Sequence, residues 1–482
     1  MQNKSKHPEW ATKYKKPNTE LRLINGRYYL YEVSSRWNSE KKRAQKITGP
    51  LLGRITEQQG FEPSSKKKSF EHSYNNISIK EYGVTFLLEH LFQGTLEPLK
   101  RYFPDTWNAI AAAALFRLAY QSPLKNMDFY FSQSFLSEIY MTSLSSKHMT
   151  YLLETTGQQR SKITAYCAEF VQPGEHVLID MTSIHSKSEE LSLTKRGYNS
   201  QRNFDPQVNL LLIFSNTLMA PMYYRMIPGN IRDVKAFKLS LLESRVSDAI
   251  VIADKGFYSQ DNMQQLDKVA LKYILPLRRN SALINYDNFD KPHKIGMDGF
   301  FKYRNRYIWF YRYKCGDKWL TVFLDSDLKN NEEKDYLDRL KTHPEQYSLK
   351  EFQEKNRLFG TFAVLTNLTD KSAEEIYNIY KCRMSIECAL DTFKNLLHVD
   401  KSYMRNERSL EGWMFINFLA LTWYYSIYRL LVKHELLSKY SPKDFLMYLS
   451  EIKKVKIQNQ WHLAEFPSAT TALLKKISLP IT

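Results

Sequence analysis

The stretch "EHVLIDMTSI" (Glu175–Ile184) decides the fold. Its apolar run His176–Ile179 is too short for a helix, is rich in strand-forming residues and closes on a carboxylate, Asp180, so it reads as a buried strand. The same style continues downstream. "QVNLLLIFSN" (207–216) and "APMYYRMIPG" (220–229) are two more strands, and "DVKAFKLSLLES" (233–244) is a helix. "AIVIADKG" (249–256) is a fourth strand, "SQDNMQQLDKVA" (259–270) a second helix and "KYILPLRR" (272–279) a fifth strand. The order β-β-β-α-β-α-β predicts a mixed sheet with helices packed on its faces.

Two acids end strands of this region. Asp180 closes "HVLID", and Asp254 closes "AIVIAD" before "KGFYS". A carboxylate at the end of a buried strand is costly unless it binds something; taken singly, Asp180 also fits the start of a turn and Asp254 a loop cap. His176 and His185 flank Asp180 and are left without a role. Thr182 falls on the same strand face as Asp180 if the strand continues, where it could orient that acid or contact DNA.

A third carboxylate lies in "YKCRMSIECALDTFKNL" (Tyr380–Leu396). On a regular helix Arg383, Glu387 and Lys394 fall at roughly −60°, −20° and −40° from Tyr380, one stripe about 60° wide. An exposed Arg383–Glu387 pair at i, i+4 would explain that spacing by itself. Together with Asp180 and Asp254 the stripe points elsewhere. Three carboxylates from two strands and a helix can hold two Mg²⁺ ions about 4 Å apart, which stabilise the attacking and leaving oxygens of an in-line phosphoryl displacement. Mg²⁺ suits an all-oxygen donor set, whereas Zn²⁺ would favour His or Cys.

The 482 residues are too many for one ordinary domain. The formal charge of +18 points to a polyanionic partner, most often nucleic acid. Residues 1–70 hold 16 Lys and Arg against 6 Asp and Glu, more than half of the excess in a seventh of the chain. The runs "KKRAQK" (41–46) and "KKK" (66–68) sit there and fit phosphate contact or a solvated linker. Asn25-Gly26 between apolar runs is a two-residue hairpin signal. We therefore read 1–70 as a basic β-rich N-terminal domain in contact with DNA, ending in the linker "FEPSSKKKSF", and 76–172, with helical periodicity, as a helical domain.

Residues 173–280 form the first part of the α/β core, and 281–360 a β-rich insertion dense in Tyr, Phe, Trp and basic residues. Residues 361–435 form the second part of the core, with the Glu387 helix, and 436–482 a helical tail. The four cysteines have no CxxC spacing, which disfavours zinc and a disulfide framework. The N-terminus has no apolar core of a signal peptide. "WMFINFLALTWYYSIY" (413–428) is short for a membrane span, contains Asn417 and reads as a buried helix.

These residues resemble the DDE insertion-sequence transposases of the IS-four superfamily, which carry a Tyr-x2-Arg-x3-Glu-x6-Lys signature. Tyr380, Arg383, Glu387 and Lys394 match it without a gap, "LIDMTS" and "VIADKGFYS" look like the two Asp motifs, and "PGNIRD" looks like the segment between them. The resemblance spans about 174–435 and weakens in the first 170 residues. It implies a ribonuclease-H-like catalytic core in which Asp180, Asp254 and Glu387 are catalytic and bind two Mg²⁺ ions, with Mn²⁺ able to substitute. It implies Mg²⁺-dependent cut-and-paste transposition: cleavage of transposon ends by water, then attack of the 3′-hydroxyl on target DNA.

The partners implied are double-stranded DNA, as terminal inverted repeats and target, and a second copy of the chain on paired ends; no membrane is involved, and the setting is the bacterial cytoplasm at the nucleoid. Tyr380, Arg383 and Lys394 would contact phosphates near the cleaved end. An aromatic of the insertion, Trp309 first and Tyr307 or Trp319 next, would stack on a flipped base, although each equally fits packing of the insertion's own sheet. A nuclease or resolvase on the same core, and a DNA-binding protein that has lost catalysis, are the competing readings.

Overall fold

A computed structural model describes residues 7–38, 42–64, 77–172, 174–197, 205–230, 234–289, 291–479 and 481. The run "KKK" (66–68), most of the linker "FEPSSKKKSF" and the end of "PGNIRD" lie outside the described residues. The chain divides into two compact units, Met1–Ser78 with Val455–His462, and Ile79–Lys454 with Leu463–Thr482.

The first unit holds a four-stranded antiparallel sheet in the order β1 (Thr19–Ile24), β2 (Arg27–Asn38), β3 (Arg43–Thr56), β4 (Gly60–Pro63). The Asn25-Gly26 signal is realised. Ile24 pairs with Arg27, and Asn25 and Gly26 both take positive φ (47° and 74°), the two-residue turn whose twist matches the strands. A small core of Ala11, Leu21, Tyr28, Leu30 and Ile55 closes one face. β2 and β3 continue together beyond β1, from Val33/Thr48 to Asn38/Arg43, as an exposed two-stranded ribbon.

In the second unit, β5 (Ser78–Glu81) leads into helices between Gly83 and Ala168. These were expected to form a domain of their own. Instead they share one hydrophobic core with the sheet and with the long helix Glu407–Lys433. Small residues permit the contact: a Cβ on Gly157 would collide with the carbonyl of Arg408, and one on Gly412 with that of Leu153. The apolar run 413–428 lies inside that long helix, and among the described residues no helix is long and apolar enough to cross a membrane. Asn417 is buried there because it accepts from Arg117 Nε (2.8 Å), whose other nitrogens donate to the carbonyls of Ser122 and Leu397.

The large sheet contains β6 (His176–Ser186), β7 (Lys195–Arg196), β8 (Pro206–Ser215), β9 (Ala220–Pro228), β10 (Ile250–Ala253) and β11 (Lys272–Leu277). It continues with β12 (Gly299–Tyr303), β13 (Arg306–Cys315), β14 (Lys318–Asp325) and β15 (Thr361–Thr366). Its order is β12-β13-β14-β15-β11-β10-β6-β8-β7, with β9 on β8 and a two-residue strand, β16 (Lys401–Ser402), on β6. β10 runs parallel to both β11 and β6, while β8 and β9 are antiparallel, so the sheet is mixed as the strand order implied.

The region 281–360 does not stand apart. Its meander β12–β14 extends the same sheet, because the returning strand β15 inserts between β14 and β11. It also carries two helices, Ser326–Thr342 and Leu349–Asn356. The tail 436–482 departs from the helical expectation as well: helices Pro442–Ser450 and Ser468–Lys476 bracket a hairpin of β17 (Lys453–Ile457) and β18 (Gln460–Leu463). Its turn residues Gln458 and Asn459 both take positive φ without a glycine to announce it.

Candidate active site

Strand register brings the two aspartates together. In the parallel pair β6–β10, Ile179 faces Ala253, so Asp180 and Asp254, each the next residue, leave adjacent strands at the same level. Neighbouring strands lie about 4.8 Å apart. Pairing with β10 ends at Ile179, while β6 runs on against β8 as far as His185. Asp180 therefore sits where one side of the strand opens.

Glu387 arrives from the other direction. The expected single helix over 380–396 is broken: one helix, Ala373–Lys381, ends before Arg383, a second spans Met384–Asp391, and Thr392–Leu396 is a π-turn. A capping box of Ser372 and Glu375 starts the first helix, and Ser385 Oγ donates to Asn216 Oδ1 (3.1 Å), tying the second to the end of β8. The uniform stripe computed for a regular helix is thus not how these residues meet.

Arg383, at the junction of the two helices, joins the acids. Its Nη1 lies 3.3 Å from Asp180 Oδ2 and its Nη2 3.9 Å from Asp254 Oδ1, and Nη2 donates a short hydrogen bond to Glu387 Oε1. Three carboxylates share one guanidinium. Asp180, with 18% of its side chain exposed, has its pKa pushed up to about 6, chiefly by burial, against the pull of the Met181 N–H and Arg383 and reinforced by Asp254 and Glu387. Tyr380 stacks on Phe362 (4.5 Å) beside Arg383, and burial raises its phenol to about 12.

The structure places the other expected site residues elsewhere. Lys394 lies in the π-turn and lines a cavity with His185, Asp400 and Lys401; burial lowers its pKa. Trp309, half-buried on β13, packs on Phe300 (5.0 Å) with Lys294 Nζ 4.4 Å above its ring. Trp319 is covered by Arg312 (4.3 Å), whereas Tyr307 is 56% exposed. His176 stays at the start of β6, its pKa lowered by burial and by Lys371. Thr182 pairs in register with Leu210.

Among the described residues no three His, Cys, Asp or Glu side chains are placed to share one metal ion. The donor chemistry nevertheless fits a hard divalent cation. The set is all oxygen, carries three formal negative charges against one positive, and the raised pKa of Asp180 records the excess. The guanidinium of Arg383 now spans the acids that such an ion would join.

Acids gathered at the ends of adjacent parallel strands, on a mixed sheet flanked by helices, are the equipment of an α/β enzyme acting on phosphoryl groups. The transposase DDE domain family matches residues 172–423, more than half of the chain, and the chain belongs to that family. It is a transposase by family, an enzyme acting on DNA. Among solved structures the chain is similar to a piggyBac transposase determined as a synaptic complex with hairpin DNA, at 11% identity and a TM-score of 0.40, over 71% of this chain and 69% of that one. No curated protein matches the sequence.

Sequence reasoning did not find Ser385 and Asn216 as the tie between helix and sheet, nor the residues gathered around β16. Neither carries a periodic signal, because each depends on contacts distant in the chain.

Proposed function

We propose that this protein cleaves the ends of its DNA element and joins them to target DNA, with Asp180, Asp254 and Glu387 as the catalytic carboxylates on a ribonuclease-H-like core. The observation that carries this reading is the meeting of those three acids at one guanidinium, from two parallel strands and a helix separated by more than 130 residues of chain. These three residues would hold the divalent metal, Mg²⁺ or Mn²⁺. When bound, such ions activate the attacking hydroxyl and neutralise the leaving oxygen.

The rest falls to the chain itself. Asp180 and Asp254 are fixed by strand register and cannot drift apart. Glu387 is set by the tie from Ser385 to Asn216. Arg383 holds the excess negative charge together in the free protein, and in the complex it would turn one face to a DNA phosphate as bidentate guanidinium contacts do. Tyr380 packs behind it and excludes water from one side.

The exposed ribbon of β2 and β3 carries Arg36, Arg43 and Lys46 with Trp37, 67% exposed, and has the dimensions of a two-stranded arm for a DNA groove. We assign DNA-end recognition to it, and pairing of two ends to a dimer.

The test is a plasmid carrying the DNA that flanks this gene, incubated with wild type or Glu387→Gln in Mg²⁺ and in Ca²⁺. Cuts at the gene's boundaries that need Mg²⁺ and Glu387 are expected. Binding without cutting would move the reading to a protein that has lost catalysis, and cutting of branched DNA regardless of the ends would move it to a resolvase.

A further inference from the structure

A second cavity opens along the same strand that carries Asp180. Its volume is about 590 Å³, within the range that holds a nucleotide-sized ligand. Four separate stretches build it: the end of β6 with His185 and Lys187, the start of β8 with Asp205, the π-turn with Lys394, and β16 with the following Tyr403. The assembly is specified by the fold. β16 runs parallel to β6 with Lys401 opposite His185, and the His185 N–H donates to the Asp400 carbonyl (2.9 Å). β7 brings exposed Arg196 opposite Pro206 at the rim.

The walls have three properties in common. They are cationic: Lys187, Lys394 and Lys401 face Asp205 and Asp400, and the one carboxylate near Lys401, that of Asp400, stands off at 3.9 Å. They hold an unanswered polar group, since His185 Nδ1 is buried with no hydrogen-bond partner. They present an aromatic face, since Tyr403 is 82% exposed beside the opening, a position with no packing benefit to explain it. Lysines supply charge for a phosphate, a ring nitrogen supplies a directional hydrogen bond, and an exposed ring supplies a stacking surface.

We infer that this cavity takes an unpaired nucleotide of the DNA strand at the element's end, its phosphate held by Lys187 and Lys401 with His185, and its base stacked on Tyr403. The inference rests on the reading of DNA ends as the substrate. It assigns a binding step to residues outside the acid cluster, five or more positions further along β6 or beyond the Glu387 helix. An ordinary duplex end would not fill it, because a paired base offers no free face to Tyr403.

The experiment measures binding, not cutting. Wild type, Tyr403→Ala, Tyr403→Phe and Lys401→Ala are titrated with the flanking-sequence duplex, either blunt or carrying a short single-stranded extension with 2-aminopurine. Wild type is expected to bind the extended duplex roughly tenfold more tightly than the blunt one and to quench the 2-aminopurine. Tyr403→Ala and Lys401→Ala lose that preference while keeping the blunt-duplex affinity, and Tyr403→Phe retains it. These side chains are exposed, so the variants are expected to melt as wild type does.

Equal preference and equal quenching in Tyr403→Ala would overturn the inference, as would a wild type that does not distinguish the two duplexes. A deoxynucleoside monophosphate that competes as well as the extended duplex would overturn it too, by making free nucleotide the ligand. Since the readout needs no catalysis, its failure leaves the cleavage result of Glu387→Gln standing, and loss of the catalytic reading would leave this one standing.

Discussion

Two buried charge networks lie in the larger unit, and they are built on opposite principles. Around Arg160 the charges balance. Its guanidinium pairs with Glu411 (2.6 Å) and lies 3.7 Å from Glu243, which also pairs with Arg225, and the rings of Tyr223 and Tyr224 flank it. Burial works against the charge of Glu243, yet hydrogen bonds from Tyr223 and Arg225 hold its carboxyl below the usual range. Around Arg383 the count is three carboxylates to one cation, and Asp180 is pushed up to about 6. The first network is complete as it stands. The second carries charge that only a further cation can answer, and that imbalance is what separates a site from a structural tie.

The largest effect should come from the unbalanced side. Asp180→Asn, Asp254→Asn and Glu387→Gln are each expected to cut strand cleavage by on the order of 10³ or more. Removing one of three repelling carboxylates should at the same time leave thermal stability unchanged or higher. A variant that lost activity by unfolding would break the comparison, and a melting curve beside the cleavage assay decides it.

Glu411→Gln should do the reverse. It strands the Arg160 guanidinium among Tyr223 and Tyr224 and should destabilise the protein by about 3 kcal/mol, read by urea unfolding. Activity measured well below the melting temperature should be retained.

Glu81 sharpens the comparison as a carboxylate with neither arrangement. It accepts from the Val84 N–H and from Thr85 Oγ1 at the start of helix Gly83–His90, and burial lifts its pKa to about 8 against those hydrogen bonds. A folded-state pKa above the unfolded value of 4.5 means that the stability contribution is present below that value and lost as pH rises through about 8. Wild-type unfolding free energy should therefore fall between about pH 5 and about pH 8, and Glu81→Gln should flatten that slope. An unchanged slope would show that Glu81 is ionised at no cost.

Much of this was legible in the sequence. Asn25-Gly26 fixed a hairpin because its turn needs two left-handed residues, and the strand order of 174–279 fixed a mixed sheet. Asp180 and Asp254 stood out because acids closing apolar runs need a reason to be there. What the sequence hid was geometry made by distant contacts. Arg383 looked like one member of a helical stripe, but a helix boundary at Cys382–Arg383 turns it onto the acids, and the π-turn at 392–396 carries Lys394 to another cavity. The merging of the helices 83–168 with the core depends on close approaches at Gly157 and Gly412, which no periodicity reveals. The hairpin 453–463 hid because its strands are short and polar.

The most direct test of the imbalance is the melting temperature of the wild-type protein and of Asp254→Asn as Ca²⁺ is added, since that ion binds oxygen donors without supporting turnover. The account predicts a saturable rise for wild type, about 2.7 kcal/mol of added stability once the ion is a hundredfold above its dissociation constant, and no rise for Asp254→Asn. An equal rise in both proteins, or none in either, would contradict the claim that the three carboxylates around Arg383 are a cation site.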